Sequence, residues 1–376
     1  MNVFLKKFKE YNISPNIGIG GYWNIAIVNR NGQKKFPFGH HMKKNMILDQ
    51  GLDILASNKY YTSYGGLNWN ATSAFLLGDA VLGGSAIPVN PTDVSLNNEL
   101  QSTDIINDDS CTITDNYING SRTFRKVYDF PTPISPISVR EFGIRTRFGA
   151  TNGQNKMFSK FVLPETVLVG AEEYVRLFYD FTIKCDAIVN PINVTRSSGT
   201  LNCNGVLKLC GRFDDIFGAY DINGNPIIKY GDSPQATFMP YCEEFCVQEN
   251  CLHKCIGTAY LISDIFIPTS PGSSIIGEWV GSKPTEDENT VIASSYINGN
   301  FYRDITYIFE RGNPFENKPF QGFLFSTAKS DRENTVAGWF WEFNNKQIKL
   351  IEKEIVIQIR QSMSRIDTPD IMTYAV

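Results

Sequence analysis

Apolar and polar residues alternate along the chain in short runs broken by Gly, Pro and Asn. Trp23–Val28, Tyr174–Ile183 and Lys353–Arg360 each read as a strand, the last with a clean period of two. Six Asn-Gly pairs punctuate the pattern, at Asn31-Gly32, Asn119-Gly120, Asn152-Gly153, Asn204-Gly205, Asn223-Gly224 and Asn298-Gly299. Asn-Gly tolerates positive φ at both central positions of a type I′ turn, so these pairs predict hairpins. Strands do not alternate with helices as a parallel sheet requires. The predicted fold is therefore mainly β, built of antiparallel β-sandwich units.

One segment follows a different period. In Asn45–Ala56, Ile47, Leu48, Gly51, Leu52 and Leu55 fall on one helical face, which predicts a short helix over 45–56 with Asn45 as its cap. Gly51 costs about 1 kcal/mol in a helix interior unless it admits a close neighbour. A second, weaker helical pattern covers Tyr241–Lys254.

The sequence also resembles itself. Tyr117–Gly120 recurs as Tyr296–Gly299, and three features follow each copy in the same order. Arg122–Tyr128, Val139–Ile144 and Met157–Phe161 in the first correspond to Phe301–Ile308, Phe320–Phe325 and Trp339–Phe343 in the second. Each copy closes on a long strand, Tyr174–Ile183 or Ile351–Arg360. The pattern predicts a tandem duplication. It divides the chain into a lead and first hairpin (1–44), a first sandwich unit (45–190) and a second β-rich unit (191–376), with a boundary near Val189–Asn193.

Charge sharpens this division. The net charge of −4 over 376 residues argues against a general nucleic-acid coat. It is unevenly distributed: eight basic residues against Glu10 alone give the first 44 residues +7, leaving −11 for the rest. Phe4, Leu5, Lys6, Lys7 and Lys9 read as an arm that docks on an acidic neighbour, or as a solvated end. The first ten residues hold no apolar core of signal-peptide length, and no uncharged run reaches the roughly 18 apolar residues of a membrane span. Synthesis in a cytoplasm is expected, without a membrane partner.

Three histidines, His40, His41 and His253, limit histidine-based chemistry. Four of the eight cysteines cluster as Cys242, Cys246, Cys251 and Cys255. Three readings stand: a structural zinc held by the four thiolates, two disulfides, or free thiols. No other cofactor is called for.

The order of segments resembles structural proteins of tailed bacteriophages. In these, an N-(L/M)-I-L-(D/N)-x-G-L-(D/N) segment precedes a (V/L)-G-x-G strand, an (I/V)-x-E-(V/F)-G-I strand and an L-F-S-R strand. The matching residues here are Asn45–Asp53, Phe75–Asp79, Val139–Ile144 and Met157–Lys160, with Gly78-Asp79-Ala80 in place of Gly-x-Gly. The resemblance covers Tyr22 to Ile183 and, more faintly, the second half. It implies a non-enzymatic virion component of the tail, its tip or its fibre-attachment region, self-associating and contacting other virion proteins. The alternative is a tail adhesin binding a host receptor or surface glycan, and behind it a glycan depolymerase.

The candidate chemistry is sparse. Glu141 reads either as a buried general acid or, with Arg140 and Arg145 close in sequence, as an ion-paired strand residue. Glu165, Glu172, Glu173, Asp214 and Asp215 supply carboxylates, but no spacing singles out a hydrolytic pair. Asp221–Asn225 reads as a turn in preference to a calcium loop. His40 and His41 read as an exposed loop. Trp339, Trp341 and Phe343 share one strand face and read as core or subunit contact in preference to a sugar platform.

Overall fold

A computed structural model describes residues 16–57, 75–105, 107, 112–116, 121–147, 156–185, 188–196, 199–210, 259–266, 276–279, 289–293, 297–309, 319–326, 338–348 and 355–366. The first half contains β1 (Asn16–Asn29), β2 (Lys34–Lys35), β3 (Lys43–Lys44), β4 (Met46–Ile47), helix α1 (Asp49–Ser57), β5 (Phe75–Gly83), β6 (Glu99–Thr103), β7 (Thr112–Asn116), β8 (Ser121–Asp129), β9 (Ile137–Arg147), β10 (Met157–Val169) and β11 (Glu173–Cys185). The second contains β12 (Ile188–Arg196), β13 (Gly199–Cys210), β14 (Ala259–Phe266), β15 (Ile276–Trp279), β16 (Asn289–Ala293), β17 (Tyr302–Phe309), β18 (Pro319–Ser326), β19 (Gly338–Ile348) and β20 (Ile355–Arg365). The fold is mainly β and sandwich-like, as the period-two pattern predicts.

The strand pairing repeats. In the first half one sheet runs β7-β8-β11-β1 and a second runs β4-β10-β9-β5-β6. In the second half the same order returns as β16-β17-β20-β12 and β13-β19-β18-β14-β15. The repeated features that follow the Tyr-Ile-Asn-Gly motif thus fall on equivalent strands. The first half keeps its two sheets separate. In the second, the β12–β13 hairpin pairs in continuous register from Ile188↔Leu207 to Arg196↔Gly199, and joins both layers into one 15-stranded sheet.

Val189–Asn193 lies inside β12, so hydrogen bonding continues through the expected boundary. β1 also spans both halves. It pairs antiparallel with β11 from Ile17↔Cys185 to Asn29↔Glu173, and parallel with β20 from Asn16↔Ser362 to Ile19↔Arg365.

A single apolar cluster fills the space between the layers and runs from β1, β8, β9, β10 and β11 to Ile305, Tyr307, Phe323, Trp341, Phe343 and Ile357. Trp23 stacks on Phe161 across the first sandwich at 4.4 Å, and Phe309 meets Phe323 across the second at 5.5 Å. The outer face of the first sheet is apolar as well. Ala26, Val28, Val127 and Phe178 are buried there beneath Phe36, Met42 and Tyr174. This double covering explains why β1 and β8 are buried on both faces.

Three local expectations change. First, the helix begins at Asp49, not Asn45. Met46 and Ile47 pair with Lys160 and Ser159 as β4, and the Asn45 N–H donates to the Gly21 carbonyl. The sheet thus takes the backbone groups that a longer helix would have used. Leu48 becomes the flanking residue, its carbonyl accepting the first helical bond from Leu52 at 3.1 Å.

Second, Asn31-Gly32 does not form a type I′ turn. Only Gly32 has positive φ, at 76°, and the Gly32 N–H donates to the Asn29 carbonyl while Asn29 N–H donates to Gln33. This is a three-residue loop with a bulge glycine. The Asn29 side chain, accepting from the Asn31 and Gln33 N–H groups, stabilises it. Third, Asn204-Gly205 lies mid-strand in β13, opposite Pro191 and Asn190. Proline has no N–H to donate, yet the register runs on without a shift through Asn190↔Gly205 and Pro191↔Asn204, so the pair does not end the strand.

Candidate functional site

The densest chemistry lies where β5, β9 and β10 meet the loop 84–98. Glu141 on β9 is fully buried. Its carboxylate accepts from the N–H groups of Asn98 at 2.8 Å and Asn97 at 3.2 Å. The Lys160 ammonium, also fully buried, lies 3.4 Å away. Lys160 donates as well to Asp93 at 3.0 Å and to the Ser95 carbonyl at 3.3 Å. The ion partner of Glu141 is therefore Lys160, and not the arginines near it in sequence. Arg140 is adjacent on the strand and points to the other face. Arg145 is four residues along, about 13 Å by strand geometry, where it pairs with Asp79 and with Glu99. Lys160 stands opposite Gly143 and meets Glu141 on the diagonal between the two strands.

Both Glu141 oxygens are engaged and covered by protein. A general acid must reach a substrate proton, and here the carboxylate faces two backbone amides and an ammonium. What the cluster does physically is pin the loop 90–98 onto the sheet.

A second polar group lies between the layers. Asn45, Ser159 and Tyr179 are buried together, near enough to affect one another but without the alignment of full hydrogen bonds among the described residues. Burial pushes the Tyr179 hydroxyl up to about 12, against the smaller opposing pull of Ser159 and Asn45. Burial likewise pushes the Asp180 carboxyl up, with Arg125 acting the other way.

Elsewhere charged side chains join strand to strand. Arg125 grips Asp180 at 2.7 Å, Arg176 grips Asp129 at 2.6 Å and Arg360 grips Asp304 at 2.7 Å. Arg365 on β20 donates to the Ile47 carbonyl at 2.6 Å and to Asp49 on α1. One helical turn on, Asp53 accepts from the Gly299 N–H at 2.8 Å. The short helix thus ties the first half to the second.

The remaining expected residues do not converge. Glu172 pairs with Arg30 at the surface, Glu173 accepts from the Gly170 N–H within a turn, and Glu165 is exposed. His40 and His41 lie in an exposed loop, His40 against Phe36. Trp341 and Phe343 are core residues packed around Phe323. The arm residues Phe4, Leu5, Lys6, Lys7 and Lys9 lie outside the described residues. So do Cys242, Cys246, Cys251 and Cys255, together with Asp214, Asp215 and Asp221–Asn225. Among the described residues no group of three or more His, Cys, Asp or Glu side chains is placed to hold a metal ion, and no helix is long and apolar enough to cross a membrane.

Lys160, Asp180 and Tyr179 were not singled out in the sequence. A signal exists for two of them: Lys160 and Asp180 each interrupt an apolar strand, in Phe158-Ser-Lys-Phe161 and Phe178-Tyr-Asp-Phe181. Comparisons with protein-family models, curated proteins and solved structures return no match.

Proposed function

We propose that this chain is a non-enzymatic structural component of a tailed-phage particle, built into the tail and assembling with copies of itself and with neighbouring virion proteins. One observation carries the reading. The segments whose order resembles phage structural proteins are scattered from residue 45 to residue 160, yet three of them form neighbouring strands. Val139–Ile144 lies in β9, Phe75–Asp79 in β5 beside it, and Met157–Lys160 in β10 on its other side. Asn45–Asp53 supplies β4, paired to β10, and the start of α1. The segments that carry the resemblance thus lie in one packed unit, which supports the reading. Among the described residues, strands β6 and β15 end their layers in the two halves. Terminal strands of this kind can extend a sheet into a neighbour through backbone hydrogen bonds.

The test is localisation in intact particles by electron microscopy with a specific antibody. Labelling on the tail is the expected result, and particles that lack the protein would remove the reading. Deletion of residues 1–15 tests the arm without touching β1, which begins at Asn16. Reduced incorporation is expected; normal incorporation would exclude the arm from assembly. Strong binding of the purified protein to host cells or glycans would favour the adhesin reading instead.

A further inference from the structure

Because both halves pair equivalent strands in the same order, each half offers the other a set of wrong partners. In the first, β8 lies against β11 with Arg125 directly opposite Asp180. Arg125 Nε and Nη2 donate to the two carboxylate oxygens at 2.7 and 2.8 Å. In the second, β17 lies against β20 with Asp304 directly opposite Arg360. Arg360 Nε and Nη2 donate to the Asp304 oxygens at 2.7 and 2.9 Å. The two positions are equivalent. Three residues further along in each register, Tyr128 faces Leu177 and Tyr307 faces Ile357, and both tyrosines are buried. The same bidentate fork joins the same strand positions with its charges exchanged.

We propose that this inversion is a pairing code, which keeps the strands of one unit from pairing with those of the other, within a chain or between two copies of it. Tyr128–Leu177 and Tyr307–Ile357 discriminate poorly, since the tyrosines are identical and leucine and isoleucine are isomers; Val127–Phe178 against Thr306–Gln358, and Asp129–Arg176 against Ile308–Val356, add mismatches of their own on exchange. The charges discriminate strongly. Placing β8 against β20 in the native register sets Arg125 opposite Arg360. The complementary error, β17 against β11, sets Asp304 opposite Asp180. Like charges directly opposite on neighbouring strands are destabilising. The Asp180 side chain keeps only 4% of its exposure, so water and salt screen little of that repulsion. Strand exchange makes both errors at once. Such exchange is a characteristic failure of tandem repeats, where the wrong partner is tethered at high effective concentration. For this fork either polarity satisfies a single unit, so what it adds to the discrimination lies in the relation between the two units.

That relation sets the test. The full-length chain is unfolded in denaturant, refolded, and divided by size-exclusion chromatography into native and misassembled material. One variant reverses the first pair (Arg125→Asp with Asp180→Arg), another reverses the second (Asp304→Arg with Arg360→Asp), and a third carries all four changes. Each two-site reversal gives both units the same polarity, and the misassembled fraction should rise about threefold or more. The four-site variant restores the inversion and should return close to wild type. If the four-site variant refolds no better than the two-site variants, or if the latter refold like wild type, the code does not exist. A neutral pair, Arg125→Gln with Asp180→Asn, removes the code without requiring a reversed fork to be tolerated. It should also raise misassembly, and an unchanged fraction would equally overturn the proposal.

Discussion

Gly51 sets helix propensity against packing. Alanine is favoured over glycine by about 1 kcal/mol in a helix interior. A Cβ built at Gly51, however, would overlap the Phe158 carbonyl oxygen and come within 3.1 Å of the Phe158 ring. That same carbonyl accepts the Leu48 N–H at 3.0 Å as the helix begins, so it cannot retreat freely. Gly51→Ala should therefore lower stability by about 1–3 kcal/mol, the cost of overpacking. Thermal melts check this, and a raised Tm would mean that the helix is not seated so closely. Tyr179 gives a second prediction, in pH. Its folded value of about 12 lies above the ordinary phenol range. Below pH 10 or so the hydroxyl keeps its proton in both states, and stability is fully present. As pH rises from about 10 to about 12 only the unfolded chain ionises, and up to about 2–3 kcal/mol is lost. In denaturant melts from pH 8 to 12, Tyr179→Phe should flatten that part of the decline. Parallel curves for wild type and variant would show that the buried hydroxyl does not govern it.

At the scale of elements, the Glu141–Lys160 pair fixes how the loop 90–98 lies on the sheet. Lys160→Met would leave the Glu141 carboxylate buried with only backbone donors, at a cost of about 3–5 kcal/mol. Adding Glu141→Gln removes the stranded charge and should recover much of that loss. Amide exchange at Asn97 and Asn98, which donate to Glu141, should quicken in the single variant. If both amides stay protected, the loop is held by other contacts. These elements also show what the sequence could and could not reveal. The strands of the duplicated unit were legible because alternation and repeated order are properties of the chain itself. So was the close approach at Gly51, since a glycine on the apolar face of a helix is hard to explain otherwise. The helix start was not legible, because Met46 and Ile47 fit either a helix turn or a strand. The choice rests on a β10 edge more than 100 residues away. The Glu141 partner was hidden for a similar reason: Lys160 reaches it only through the strand register that sets β10 beside β9.

Over the whole molecule, the question is whether two sandwiches unfold as one. Among the described residues they are joined by the parallel β1–β20 ladder, by the reach of α1 to Arg365 and Gly299, and by a shared apolar cluster that contains both Ile19 and Met363. Beyond the ladder, the Ile366 N–H donates to the Ile19 carbonyl at 2.9 Å, and the Ile366 side chain lies over Gly18 and Gly20. A Cβ at Gly18 would come within 2.9 Å of Ile366 Cγ1, and one at Gly20 within 3.1 Å of Ile366 Cδ1. The two glycines are what let β20 run on past its last ladder pair against β1. Because β1 lies between β11 of the first half and β20 of the second, the wild-type chain should melt in a single calorimetric transition, with its calorimetric and van't Hoff enthalpies in agreement. Gly18→Val with Gly20→Val lifts Ile366 away while leaving the β1–β11 register and its branched-residue preference intact. The joint is then weakened without loss of either core, and the single transition should separate into two. Hydrogen exchange would assign them, with β17 and β20 opening at lower temperature than β8 and β11, since the second half loses a strand partner while the first retains β1. A variant that still melts in one transition would mean that the shared core alone couples the halves. A wild type that already melts in two would mean that the parallel ladder never coupled them.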